Sequence, residues 1–267
     1  MKKRILLFLI LFLLLTAFFS YGKFFYYDSS IRTGDSLEPP SVAHFLGTDN
    51  LGVDIYAQIS SGFFQSMAVG LGAAAVSLLL GGVFGISSGY YGGKWDFFVS
   101  FLINLFLSVP QLPIMILIGA FWGQSLRNIV IVVALFSWAP IAKILRAEAI
   151  RLKNIGYIRL ARLYGGKFFY LFRKHMMPET FPLLLVNSLF VISKAIVQES
   201  SLAYLGLSDP TTRSWGLMIN KANGFRGIFM TDFWKWWLMA PLFSLLITVL
   251  LIRFFSRECE RSIMRGK

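Results

Sequence analysis

Two histidines, one cysteine and four Gly-Lys pairs are the residues of this sequence on which chemistry would call first. His44 and His175 are separated by long apolar runs that place them on opposite sides of a membrane, so they share neither a metal nor a catalytic triad. Cys259 stands alone, and it closes no intrachain disulfide and builds no thiolate cluster. Each Gly-Lys pair, at Gly22, Gly93, Gly166 and Gly266, lacks the glycine five residues upstream and the Ser or Thr after the lysine. Without them no phosphate-cradling loop forms. If nucleotide energy drives this protein, another chain binds the nucleotide and this one needs no cofactor.

Two ionisable residues lie inside an apolar run, Lys194 and Glu199. Lys194 is about 20 Å along a helix that begins near Phe181. Charges at that depth face a cavity or a partner, so both residues are candidates for lining a solute pathway. Five positions apart, they stand about 140° apart around a helix and form no direct pair. An intramembrane enzyme would require paired acids or a histidine cluster within such runs, and the sequence holds neither.

The elements that must carry these residues follow from composition. The 267 residues are 56% hydrophobic and 15% charged, with a mean hydropathy of +0.66, well below the roughly one-quarter charged content of a soluble domain. Apolar runs with few or no charges, long enough for the hydrocarbon, predict spans at 5–21, 63–91, 97–122, 128–145, 181–207 and 233–252. The fold class is therefore an all-α integral membrane protein with six transmembrane helices. Lys2, Lys3 and Arg4 ahead of an apolar run resemble a signal peptide, but no small-x-small cleavage site follows, which favours a retained helix.

With both termini inside, 18 of the 26 Lys and Arg residues fall on the cytoplasmic side, and the outer segments carry no net charge. That is the asymmetry the positive-inside rule requires. The formal charge of +13 then reflects topology and contact with lipid headgroups, not nucleic-acid binding. Three parts are expected: a first helix and outer segment over 1–62, a five-helix core over 63–255, and a cytoplasmic basic tail over 256–267. Gly81, Gly85 and Gly89 recur every four residues and permit close helix approach. Pro110, Pro113 and Pro140 lie inside spans and kink them.

One long segment is built differently. Residues 146–178 are basic and glycine-broken. Tyr157–Leu163 is helix-compatible, with Ile158, Ala161 and Arg162 at helical spacing, and Gly165-Gly166 ends it. A second amphipathic run over 168–177 leads to Pro178 at the head of the next span. The residues alone leave two readings open, a juxtamembrane helix on anionic headgroups or a docking point for a soluble partner.

At these residues the sequence resembles the permeases of ATP-binding-cassette (ABC) importers of the dipeptide/oligopeptide/nickel family, specifically the second of the two paired permeases. Ala161, Arg162, Gly165, His175 and Pro178 match the pattern A-R-x-x-G…H-x-x-P. HFLGTDNLGVD at 44–54 resembles the family's outer motif, GYYGGKWD at 89–96 its first inner loop, and ESSLAYLGLSDPTTRSWGLMI at 199–219 its last conserved block. The four blocks come in the family's order. Departures are specific: Arg159 stands where the broader importer motif places a glutamate, and Gly156 where the subfamily has an acid. Val53, Ala57 and Gln58 replace Arg, Ser and Arg, and Ser100 and Asn104 fall where an Arg and an Asp are usual.

The resemblance implies a type I ABC-importer permease fold in the inner membrane. It also implies a heterodimer with a second permease, two cytoplasmic ABC ATPases that bind the ATP, and an extracytoplasmic solute-binding protein. A coupling helix over Ile158, Arg159, Leu160, Ala161, Arg162, Leu163, Gly165 and Gly166 would seat on an ATPase, with Ile158, Leu160 and Leu163 as apolar anchors and Arg162 at the rim. Glu199 falls on an acid of the family's pattern and Lys194 does not. Peptides are the expected cargo, with nickel or antimicrobial peptides as alternatives. A self-contained channel or secondary transporter would instead be expected to show internal repeats, and none is seen.

Overall fold

The computed structural model describes residues 2–123 and 125–265. Met1, Gln124, Gly266 and Lys267, the last two belonging to the expected basic tail, lie outside the described residues. Helix α1 covers Lys2–Phe24, and an irregular segment over 25–54 leads to α2, Ile55–Tyr91. Then follow α3 (Gly93–Ser108), α4 (Gln111–Trp122), α5 (Leu126–Lys153), α6 (Gly156–Leu163) and α7 (Phe168–Leu171). A π-helical turn over Phe172–Met176 runs into α8, Met177–Tyr204. Helix α9 is Trp215–Gly224, and a second π-helical turn, Trp234–Leu238, opens α10, Met239–Arg265. Among the described residues, five helical stretches are long and apolar enough to cross a membrane, and the bent α3–α4 pair is a sixth if counted as one broken span.

Local chemistry sets the ends of these helices. α2 begins eight residues before the expected start at 63, because the Asp54 carboxylate caps it and accepts the Ala57 N–H at 2.9 Å. Its first residues, Ile55 to Ser60, are buried despite the polar Gln58 and Ser60. The expected boundary at 62 thus falls inside α2, and that at 255 falls inside α10. The expected span over 97–122 is two helices meeting at 85°. Pro110 has no N–H to continue the ladder and holds Val109 in extended backbone (φ −83°, ψ 127°). Pro140, by contrast, lies inside an α5 that continues through it.

Helices α2 and α5 form the most extensive pairing in the bundle. A Cβ on Gly81 would meet the Ile141 side chain at 2.7 Å, one on Gly85 the Ala142 carbonyl at 2.5 Å, and one on Gly89 the Arg146 carbonyl at 2.6 Å. The glycines are what lets the backbones touch. A core of Phe19, Tyr56, Phe63 and Trp215 joins α1 and α9 to one end of α2. Trp215, fully buried, donates its indole N–H to the Ile59 carbonyl at 2.9 Å. The lipid-sized apolar side chains of α1 and α3, such as Leu13, Leu14, Phe97 and Phe101, point outward, as a bilayer requires.

Candidate functional site

At the far end of α2 from Asp54, α6 and the turn after it form the basic segment. α6 ends in a Schellman arrangement: the Gly166 N–H reaches the Ala161 carbonyl at 3.0 Å and the Gly165 N–H the Arg162 carbonyl at 3.1 Å. The two glycines serve different needs. Gly165 has φ +86° with open space around it, whereas a Cβ on Gly166 would lie 2.7 Å from the Ala161 oxygen. Only glycine satisfies both positions without strain.

The side chains of α6 divide sharply. Ile158 is 1% exposed and packs into the core of the chain, and Ala161 rests against that core. Leu160, Leu163 and Tyr164 are 56%, 75% and 89% exposed. Ile158 is therefore an anchor to the bundle and not, as expected, to a partner, because helical periodicity points it opposite to Leu160 and Leu163. The Arg162 guanidinium lies 5.7 Å over the Tyr90 ring at the end of α2. Arg159 is exposed, and among the described residues it forms no ion pair. Tyr157 packs on His175 with ring centroids 5.6 Å apart, tying α6 to the turn before α8. The second amphipathic run is thus no separate helix, since it continues through the π turn into α8.

Lys194 and Glu199 are not brought together. Glu199 is fully buried where α2 meets α8, and it accepts from Ser66 Oγ at 3.3 Å and Ser200 Oγ at 3.4 Å. It belongs to helix packing and touches no surface open to a solute, because the α8 face that carries it turns into the bundle. Lys194 is half-buried and lines a cavity of about 410 Å³ between α5, α8 and α10, with Ser137, Pro140, Asn187, Phe190 and Glu260.

The sequence reading missed four polar contacts. Arg146 grips Asp96 with two bonds of 2.5 and 2.7 Å, joining α5 to α3. Gln111 Nε2 donates to Gln198 Oε1 at 3.4 Å, joining the start of α4 to α8. His44 Nδ1 lies 2.8 Å from Asp54 Oδ2, with both side chains buried, and Gln58 Nε2 donates to Asp49 at 2.8 Å. Each joins residues distant in sequence or across a loop. The one available signal was the four-residue step from Lys194 to Gln198. Near the His44 cluster, burial and then the Asp54 charge push the Tyr26 phenol up to about 12, and its hydroxyl donates to the Ala43 carbonyl at 2.5 Å.

Residues 81–258 match the family described as binding-protein-dependent transport system inner membrane component. The chain is 32% identical to the dipeptide transport system permease protein DppC of Bacillus subtilis (strain 168), over 91% of this chain and 75% of that protein. It is 30% identical to the oligopeptide transport system permease protein OppC of the same organism, over 91% and 78%. A glutathione transport system permease protein, GsiD of Pectobacterium atrosepticum, is 32% identical over 70% of this chain and 62% of its own length. Among solved structures, the inward-facing MetNI methionine ABC transporter superposes with a TM-score of 0.60 at 18% identity, over 77% of this chain and 96% of that one. That likeness shows the fold. The match of both sequence and architecture means that this chain belongs to the binding-protein-dependent transport system inner membrane components, the multi-pass inner-membrane permease subunits of ABC importers.

Proposed function

We propose that this chain forms half of the translocation pathway for small peptides, paired with a second permease. It receives its solute from an extracytoplasmic binding protein and is driven by separate cytoplasmic ATPases that bind the ATP. The printed substrates of the relatives, dipeptide, oligopeptide and glutathione, support the peptide cargo. The charge asymmetry of the sequence supports an orientation with both termini inside. α6 and its turn are the coupling helix, and ATP-driven closure of the ATPases swings the spans as rigid bodies between two access states.

The observation that carries this reading is the division of α6. One apolar side chain, Ile158, fixes the helix to the bundle, while Leu160, Leu163 and Tyr164 stand exposed beside Arg159 and Arg162. Such an exposed apolar cluster ringed by charge marks a protein contact. The test is a complex purified with its ATPases and second permease. Gly165→Asp puts a side chain at the open turn, where the space is free but the positive φ is strained. ATP hydrolysis should persist while solute uptake falls about tenfold or more, a change worth about 1.4 kcal/mol. Normal uptake by the assembled variant, or a chain that purifies and conducts solute alone, would sink the assignment.

A further inference from the structure

Helix α8 carries an ordered polar stripe. Asn187, Lys194, Gln198 and Ser201 succeed one another at steps of seven, four and three residues, which is the spacing of one helical face. Glu199 is off this stripe and enclosed. The stripe faces α5 and the start of α4: Lys194 and Asn187 line the cavity with Ser137 of α5 and Ser256 of α10, and Gln198 meets Gln111. Ser137 is buried, and its hydroxyl has no hydrogen-bond partner among the described residues. The remaining wall is apolar, with Ile141, Phe190 and Val191. A mostly apolar pocket with a few convergent polar groups is the usual form of a small-molecule site.

Charge and depth narrow the ligand. Lys194 forms no ion pair among the described residues. A second cation, Arg253, stands 4.6 Å over the Phe190 ring that lines the same cavity, and Glu260 is the acid at its rim. An ammonium at this depth calls for an anion or water. Lys194 lies about 15 Å from the Tyr204 end of α8 and about 26 Å from the Met177 end, at 1.5 Å per residue. The cavity also takes in Ser256 and Glu260 toward the cytoplasmic end of α10, so a lipid phosphate is the competing anion, and the vesicle arm of the test below separates it from a solute. A solute crossing the membrane passes that depth.

We propose that this cavity is a station on the translocation pathway at which Lys194 takes the carboxylate of the passing peptide, with the amide of Asn187 in the same wall. The proposal rests on the transport reading above and adds the chemical group that the pathway recognises. Its mechanical logic is simple. The Lys194 ammonium binds an anion strongly enough to admit it, and with no second cation on the α8 stripe it lets the anion go.

The test uses the complete complex in proteoliposomes, with its binding protein and ATPases, and two probes: trialanine and its C-terminal amide. Lys194→Met should lower ATP-driven uptake of trialanine about tenfold or more, the order of one charge-assisted hydrogen bond. Uptake of the amide should change less than about twofold by the same reasoning, and Lys194→Arg should restore the acid. Peptide binding to the binding protein stays unchanged, since the substitution is in another chain. The wild-type complex provides a readout that needs no variant: an acid-to-amide uptake ratio of one or below overturns the proposal. So does a Lys194→Met complex that moves both probes at wild-type rates, or loses both alike. A loss that follows the anionic lipid content of the vesicles equally for both probes identifies a headgroup and overturns it too. If the assembled wild-type complex shows no ATP-driven uptake of either probe, the transport reading fails and the proposal fails with it.

Discussion

The 25–54 segment and the 154–176 segment cap opposite ends of α2, and they handle their polar groups in opposite ways. The first closes on itself. His44 meets Asp54, Asp49 takes bonds from Gln58 and the Val53 N–H, and Thr48 is buried between the backbones of Asp35 and Glu38. The second leaves its chemistry outside, with Arg159, Leu160, Leu163 and Tyr164 exposed and only the apolar Ile158, Leu171 and Met176 buried. A buried polar network is costly to break and fixes one conformation. An exposed mixed surface gains its energy from something that arrives later. The contrast separates a segment shaped for its own stability from one shaped for a partner.

Three substitutions probe that contrast. The largest effect on the fold is expected at Asp54→Ala, which removes the cap of α2 and leaves the buried His44 ring without its acceptor. The two losses together lower the unfolding free energy by about 2–4 kcal/mol. A thermal melt in detergent reads this, and an unchanged Tm would mean that the segment is not the self-sufficient unit described here.

A smaller effect depends on pH. The Tyr26 phenol is raised to about 12 by burial and by Asp54, so the folded state holds its proton more tightly than the unfolded chain, where tyrosine titrates near 10. Its contribution is complete below about pH 10 and is lost as pH rises through about 12. Tyr26→Phe should therefore show a shallower loss of Tm between those values than the parent. Equal slopes would remove Tyr26 from the network. The smallest effect on the fold is expected at Leu163→Ala, within about 0.5 kcal/mol, as for surface positions generally. The same substitution should nonetheless reduce the ATPase recovered with the complex. A large drop in Tm with full ATPase recovery would reverse the roles assigned to the two segments.

Much of this was legible because it is local. Apolar run length located the spans, and the Gly165-Gly166 pair announced the end of α6. The 140° between Lys194 and Glu199 followed from their separation alone. What was not legible depends on distant partners. Gln58 and Ser60 lie ahead of the span expected from 63, and only the fold supplies the Asp49 partner and the buried environment that draw them into α2. Ile158 looked like any apolar side chain of an amphipathic helix, and only packing against the bundle decides which way it faces. Glu199 read as a pathway acid until Ser66, 133 residues earlier in the chain, closed over it. Proline gave an ambiguous signal: Pro110 breaks its span by 85° while α5 passes through Pro140.

That survival of α5 has a mechanical consequence. Proline at position 140 removes a rung of the helix ladder and should make a soft point in the rod. The backbone contacts of Gly81 and Gly85 land on Trp138, Ile141 and Ala142, on both sides of that point, and Gly89 adds a third at Arg146. α2 is thus a splint across the weak joint. Splinted, the 28 residues of α5 behave as one lever about 42 Å long. A tilt of about 5° applied at its basic end carries the other end through about 4 Å. Three missing side chains on one helix set the gearing of its neighbour.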